Sequence, residues 1–325
     1  MMIDRRTVLS AGLSVGALVV LRAARADTYP SRSVRVIVPF SAGGTTDFVA
    51  RLVSERMGAM SGQTFVVENR TGGSGAVGLR EVAMAAPDGY TLAMADTTIA
   101  IAPALMAKSP IEPDMFAPVC LVATFPSVLV IHPSVPANTI GELIDYARKN
   151  PGKINFGSGG IGTGPHLQGE MFKSMAKIEI QHVAYRGAAS ALQDVVAGHI
   201  QLLFTAAPTA MAYVRSGQLK LLATTGAERL PVAANVPTMI ESGLKGYVSA
   251  QWFGLLAPVK TPPEIVAGAN KLARAAIADP AVGPRIVAQG GFLKPGTPDD
   301  FAHFIASESK QWGDIIRIAG VTLPQ

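Results

Sequence analysis

Val34–Met60 reads VRVIVPFSAGGTTDFVARLVSERMGAM, and the order of its parts decides the fold. Val34–Pro39 is a short continuous apolar run, the pattern of a strand buried on both faces of a parallel sheet. From Thr46 onward Val49, Leu52, Val53, Met57 and Met60 recur at helical spacing and form one apolar face. Between strand and helix lies Pro39–Asp47, a glycine-rich turn. A strand that runs through such a turn into an amphipathic helix is the first half of a βαβ unit.

The alternation continues in both senses of the word: apolar runs and helical patterns take turns along the chain. Strand TFVVE at Thr64–Glu68, a helix near Gly78–Ala86 and strand TLAMA at Thr91–Ala95 follow, before a proline-punctuated stretch at Pro103–Pro118. The pattern resumes with two strands, CLVATF at Cys120–Phe125 and VLVIH at Val128–His132. Thr139-Ile140-Gly141-Glu142 is a capping box opening GELIDYARKN, which Pro151-Gly152 stops. Strands INFGS, IQHVAY, QLLF and LKLLATT then alternate with helices HLQGEMFKSMA, ASALQDVVAG and TAMAYVRSG. Thr261-Pro262-Pro263-Glu264 reads as a further capping box with proline in the first turn. Thr297-Pro298-Asp299-Asp300 starts the last helix, which runs to about Ile318. These are more strands than one compact sheet holds, so the expectation is two α/β lobes with ligand bound in the crevice between them.

Gly73-Ser74-Gly75-Ala76-Val77-Gly78 matches G-x-G-x-x-G, with Asp96 about 20 residues on, as in a dinucleotide-binding turn. On that basis an exported nucleotide-dependent oxidoreductase is the alternative function. Against it, no His–Asp or Tyr–Lys pair stands at a spacing that suggests hydride transfer. Any βαβ unit with a tight first turn produces the same pattern. The expectation is therefore that these glycines are architecture beside a site, with no cofactor.

Two other glycine loops carry the binding chemistry. Phe40-Ser41-Ala42-Gly43-Gly44-Thr45-Thr46-Asp47 and Phe156-Gly157-Ser158-Gly159-Gly160-Ile161-Gly162-Thr163-Gly164-Pro165-His166 share one construction: strand end, aromatic residue, glycine turn with hydroxyls, helix start. Glycine leaves backbone N–H groups unobstructed, and a helix start leaves several unpaired, so such a loop holds an anion without a basic side chain. Two of them, one in each half of the chain, suggest two jaws on one acidic ligand. Asp47 is expected to organise its loop rather than to face the ligand's charge. A tight turn for the first loop, a packing role for His166 and a surface ion pair for Arg186 are the plainer alternatives. Ser158 as a hydrolase nucleophile is disfavoured, because Phe156 and Gly160 stand where a nucleophile elbow has paired glycines. Five scattered histidines and one cysteine give no metal-ligand spacing.

Residues 1–26, MMIDRRTVLSAGLSVGALVVLRAARA, have the plan of a cleaved export signal: Arg5-Arg6, an apolar run from Val8 to Leu21, and Ala24-Arg25-Ala26 at the cut. Arg5-Arg6-Thr7-Val8-Leu9 resembles a twin-arginine signal, with Asp4 and Val8 off the preferred pattern. Cleavage removes four arginines and Asp4, a net +3, so the formal charge of +5 falls to +2. The basic balance therefore names no nucleic-acid partner. Cys120, the single cysteine, excludes an internal disulfide and reads as a small core residue.

With these segments in place the chain resembles the periplasmic substrate-binding receptors of tripartite tricarboxylate transporters, the Bug/TctC type. The resemblance runs from Tyr29 to Pro324 through VRVIVPFSAGGTTDFVARLV, VVENRTGGSGAVG, APDGYTLAMAD and INFGSGGIGTGPHLQGEMF. HVAYRGAASALQDVVAGHIQLLF, NVPTMIESGL and WFGLLAPVKTPPEIV follow in order. It implies a non-enzymatic flytrap fold of two Rossmann-like lobes, with residues 27–125 and 250–325 in one and 126–249 in the other. It implies a small dicarboxylate, tricarboxylate or aromatic acid as ligand, permease subunits as partners, and a monomeric receptor in the periplasm. Carried onto this sequence, the ligand contacts are Phe40, Ala42, Gly43, Thr45, Ser158, Gly159, Gly162 and Thr163. The loops themselves add Ser41, Gly44, Asp47, Gly157 and His166. Arg186 replaces a commoner lysine, and Thr205 stands where many relatives carry an acid or amide.

Overall fold

In the computed structural model, which describes residues 29–106, 108–185 and 188–322, Val34–Val38 is the strand β1 and Thr45–Ser61 the helix α1. β2 (Phe65–Asn69) and β3 (Thr91–Asp96) flank β1 in parallel, with Val38 opposite Asn69 and Ile37 opposite Ala93. This is the parallel arrangement that strand–turn–helix order demands, since each return crosses the sheet through a helix. α2 (Ala76–Ala83) is preceded by one tight turn at Gly73–Gly75. Val49, Leu52, Val53 and Met57 of α1 are buried, but Met60 is 41% exposed. The apolar face ends one turn early because α1 stops at Gly62, in left-handed conformation, as it clears the sheet.

The two strands expected at Cys120–Phe125 and Val128–His132 are one strand, β4 (Phe116–Ile131), and this is the main correction to the sequence reading. Prolines inside an apolar run argue against a continuous central strand, because they donate nothing to the ladder. Here Pro118 sits at a register shift in the pairing, and Pro126 sits where β4 changes partners. Up to Pro126, β4 pairs antiparallel with Ala250–Pro258. From Ser127 it pairs with Leu202–Ala206 and with Lys220–Thr224. A helix that the sequence did not indicate, α3 (Thr98–Leu105), runs into the start of the proline-punctuated stretch and carries Pro103 inside it.

The second half follows with α4 (Ile140–Lys149), β5 (Ile154–Ser158), α5 (Gly164–Ala176), β6 (Ile180–Ala184) and α6 (Ala188–Val196). β7 (Leu202–Ala206), α7 (Ala207–Arg215) and β8 (Lys220–Thr224) complete it. The chain returns through β9 (Ala250–Pro258), α8 (Pro263–Ala278), α9 (Gly283–Ala288), the short β10 (Phe292–Leu293) and α10 (Pro298–Ala319). The strand order is β2-β1-β3-β9-β4-β7-β5-β6, with β8 and β10 each beside β4. β4 and the segment leading into β9 thus carry the chain between two parallel-sheet lobes.

Both expected capping boxes differ in detail, while a reciprocal one forms at the start of α10. Thr297 and Asp300 close theirs reciprocally, and Thr139 accepts from the Glu142 N–H while Glu142 reaches back to Asn138. Thr261 does not cap: α8 starts at Pro263 with Pro262 as its cap residue, and Thr261 Oγ1 is buried without a partner among the described residues. Two prolines in succession fix the backbone so that the helix begins one residue too late for the threonine hydroxyl to reach. Separately, Trp312 and Ile316 of α10 share a core with Trp252 and with Leu167 of α5, while Ile315 also packs on the other lobe. α10 therefore lies against both lobes. The expected export signal, residues 1–26, lies outside the described residues.

Candidate functional site

The first loop leaves β1 at Val38 and enters α1 at Thr45 with no side chain capping the helix. Gly43 has φ +85°, a conformation that favours glycine, and its N–H donates to Asp47 Oδ2 at 3.0 Å. Asp47 also receives Arg51 Nε and Asn69 Nδ2, and the same Asn69 amide donates to the Phe40 carbonyl. Burial pushes the Asp47 carboxyl up, but hydrogen bonds from Arg51, the Gly43 N–H and Asn69 outweigh it and hold the group below its ordinary range. Asp47 thus braces the loop from beneath, the role expected of it. Ser41, Ala42, Gly43 and Gly44 are exposed above it.

The second loop repeats this construction with different chemistry. Gly162 has φ +78°, and its N–H donates at 3.0 Å to His166 Nδ1, four residues on, as Gly43 donates to Asp47. Thr163 heads α5 but does not cap it, because its hydroxyl donates to the Gly160 carbonyl at 2.7 Å. In both loops a brace on the residue before the cap leaves the helix start itself open. His166 is buried and stacks on His182 of β6, ring centroids 3.9 Å apart. Burial lowers both imidazoles from 6.5 to about 4, so both are neutral at pH 7. Since His166 Nδ1 accepts, its proton is on Nε2, toward Glu170.

Two cavities open between the lobes. One, of 400 Å³, is bounded by Phe40, Gly73, Ser74 and Ala76 from the first lobe, and by Gly159, Gly162 and Thr163 from the second. Thr98, Ile101 and Leu105 of α3 and Gln251 of β9 complete much of its wall. The other, of 290 Å³, is bounded by Gly43, Gly44 and Thr45 and by Ala206, Pro208 and Thr209 at the start of α7. The first loop therefore separates the two spaces: its Phe40 end joins the second loop, and its Gly43–Thr45 end does not. Ser41, Ala42, Asp47, Gly157, Ser158 and His166 line neither. Gly157 is buried, and a Cβ there would lie 2.5 Å from Ile200 Cδ1, so it serves packing. Thr205 is buried inside β7 opposite Val128 rather than beyond the strand. Arg186 lies outside the described residues.

The GSGAVG turn is closer to the cavity than the sequence suggests, for Gly73, Ser74 and Ala76 line it. Gly78 has the architectural role expected: a Cβ would meet the Arg70 carbonyl at 2.7 Å and Pro39 Cα at 3.0 Å. Asp96 accepts from the Thr98 N–H, and burial raises its carboxyl to about 6 against that bond. Ser158 does meet a histidine, His182 Nε2 at 2.7 Å, but its hydroxyl is fully buried and tied to Gly160 at both N–H and carbonyl. A nucleophile needs an approach path, and this serine has none. His182, Gln251 and the α3 residues are the site members the sequence did not indicate. Gln251, a lone amide immediately ahead of the apolar run WFGLLAP, is the one that left a trace in it.

The family model described as "Tripartite tricarboxylate transporter family receptor" (TctC) matches residues 49–321. The chain is 33% identical over 301 residues to Protein BugT of Bordetella pertussis, covering 92% of each. It is similar to the R. palustris protein Rpa4515, solved with adipate, at 34% identity and TM-score 0.81, covering 91% of this chain and 100% of that one. It is also similar to MatC of Rhodopseudomonas palustris, solved with bound malate, at 31% identity and TM-score 0.76, covering 89% and 100%.

Proposed function

Because the chain belongs to the tripartite tricarboxylate transporter receptor family, we propose that it is an exported periplasmic receptor which captures a small carboxylic acid between its lobes and delivers it to membrane permease subunits. The family consists of receptors rather than enzymes, and two of the structural relatives were solved with carboxylates, adipate and malate. The observation that carries the reading to this chain is the open start of α5 beside a cavity that both halves of the chain line. α1 and α5 each begin without a side-chain cap, and each is held open by a brace from the third helical residue to the glycine before the cap. Uncapped N–H groups at a helix start favour an anion.

In this reading residues 27–125 and 250–325 form one lobe and 126–249 the other, with β4 as one of the connections. Gly162 and Thr163 present the α5 start to the acid, while Phe40 closes the same cavity from the opposite lobe. Asp47, Ser158 and His166 act beneath the loops, keeping N–H groups aimed outward. Ligand that touches both lobes only when they are closed shifts the population toward closure, which is the signal a permease reads.

Thr163→Asp tests this directly. An aspartate at the cap position supplies a carboxylate to the N–H groups the ligand uses, and aspartate is among the best helix caps. Expected is a melting temperature kept or raised together with a loss of acid affinity of about 10- to 100-fold. Calorimetric titration with a panel of mono-, di- and tricarboxylates reads the outcome. Unchanged affinity in a folded variant would remove the α5 start from the site.

A further inference from the structure

The wall of the 400 Å³ cavity is apolar along one whole side. Ile101 and Leu105 of α3, Met106, Pro110 and Ile111 after it, and Ile161 of the second loop all face this space. Among the described residues that line it there is no lysine, arginine, histidine, aspartate or glutamate. Its polar members are small or neutral: Ser74, Thr98, Thr163 and Gln251. Gln251 stands beside the start of α5, since a Cβ on Gly164, the first residue of that helix, would lie 3.6 Å from Gln251 Nε2. The Gln251 amide and the open α5 start therefore make one polar corner in an otherwise oily chamber.

We infer that the ligand is a monocarboxylate with an apolar body, an unbranched aliphatic acid of about six carbons or an arylalkanoic acid, rather than a short dicarboxylate or tricarboxylate. This rests on the receptor reading above and names its substrate class. One carboxylate is accommodated at the polar corner by N–H groups and an amide. A second carboxylate placed against Ile101 and Leu105 loses hydration there with no charged partner among the described lining residues. Methylene or ring carbons in the same position gain from burial instead. A volume of 400 Å³ lies within the range that small-ligand pockets occupy, and it leaves room beyond the carboxylate for such a body.

The discriminating pair is hexanoate and adipate, which differ only in a methyl or a carboxylate at one end. Calorimetry on the mature protein is expected to give hexanoate and 3-phenylpropionate at least about tenfold tighter than adipate, malate and citrate. From butyrate to hexanoate, affinity is expected to rise about fourfold per methylene. Leu105→Ala weakens hexanoate about tenfold and leaves acetate unchanged if the body lies on this wall. Adipate or malate binding as tightly as hexanoate overturns the inference and leaves the receptor reading standing. Binding by none of these acids overturns both. An equal loss for acetate and hexanoate in Leu105→Ala, with folding intact, also overturns the placement of the ligand body.

Discussion

At the scale of single residues, Asp47 and His166 do the same work with different groups. Each accepts a hydrogen bond from the glycine N–H four residues earlier, and each does so from a buried position. They differ in how they answer pH. Asp47 is held below its ordinary 3.8, so its contribution to stability is full above that value and fades as pH falls below it. His166 and His182 are lowered from 6.5 to about 4, so between those values the unfolded chain binds protons that the folded one refuses. Stability therefore falls as pH drops from 6.5 toward 4, on the order of 1–3 kcal/mol for the pair. Urea midpoints at pH 7.5 and 4.5 measure this, and His182→Gln is expected to shrink the difference. A full-sized pH loss in that variant would exclude His182 as a cause. The sequence indicated the role of Asp47 because a loop and the helix after it are local. It hid His182, which reaches Ser158 only through the pairing of β6 with β5, where Phe156 lies opposite His182.

At the scale of elements, glycine position separates packing from propensity. In α2, Gly78→Ala gains about 1 kcal/mol in helix propensity. The new Cβ nevertheless meets backbone at 2.7 and 3.0 Å, and backbone does not move aside cheaply. The expected net effect is destabilisation by about 1–3 kcal/mol. In α4, Gly141→Ala meets nothing nearer than Thr139 Oγ1 at 3.9 Å, and a gain of about 0.5–1 kcal/mol is expected. Chemical denaturation of the two variants should move the midpoint in opposite directions; a gain at Gly78 would mean that α2 does not rest on Pro39. Most strands and helices of both lobes were legible because hydrophobic period is a property of a few neighbouring residues. β4 was not, since its prolines look like punctuation until register shifts and a change of partners show where they fit. α3 was hidden for a related reason: its run TIAIAPAL is apolar on all sides and contains a proline, so it has no period to read.

At the scale of the whole molecule, β4, the segment into β9 and α10 tie the lobes together, and in the proposed receptor closure is a rotation about these few connections. If the acid bridges the lobes, saturating ligand is expected to reduce the radius of gyration measured by small-angle scattering, and Thr163→Asp is expected to abolish that change. A ligand-induced contraction that persists in a variant unable to bind would exclude this coupling. The sequence by itself determined the alternation of strands and helices, the two glycine loops that begin α1 and α5, and the family, because each depends on residues close together in the chain. Only the tertiary structure decided which of those loop residues share a cavity. It joined Phe40 to Thr163 and separated both from Gly43, brought Gln251 to the start of α5, and laid α3 along the cavity wall. These juxtapositions span up to about two hundred residues of chain and follow from strand order and packing, which no local pattern encodes.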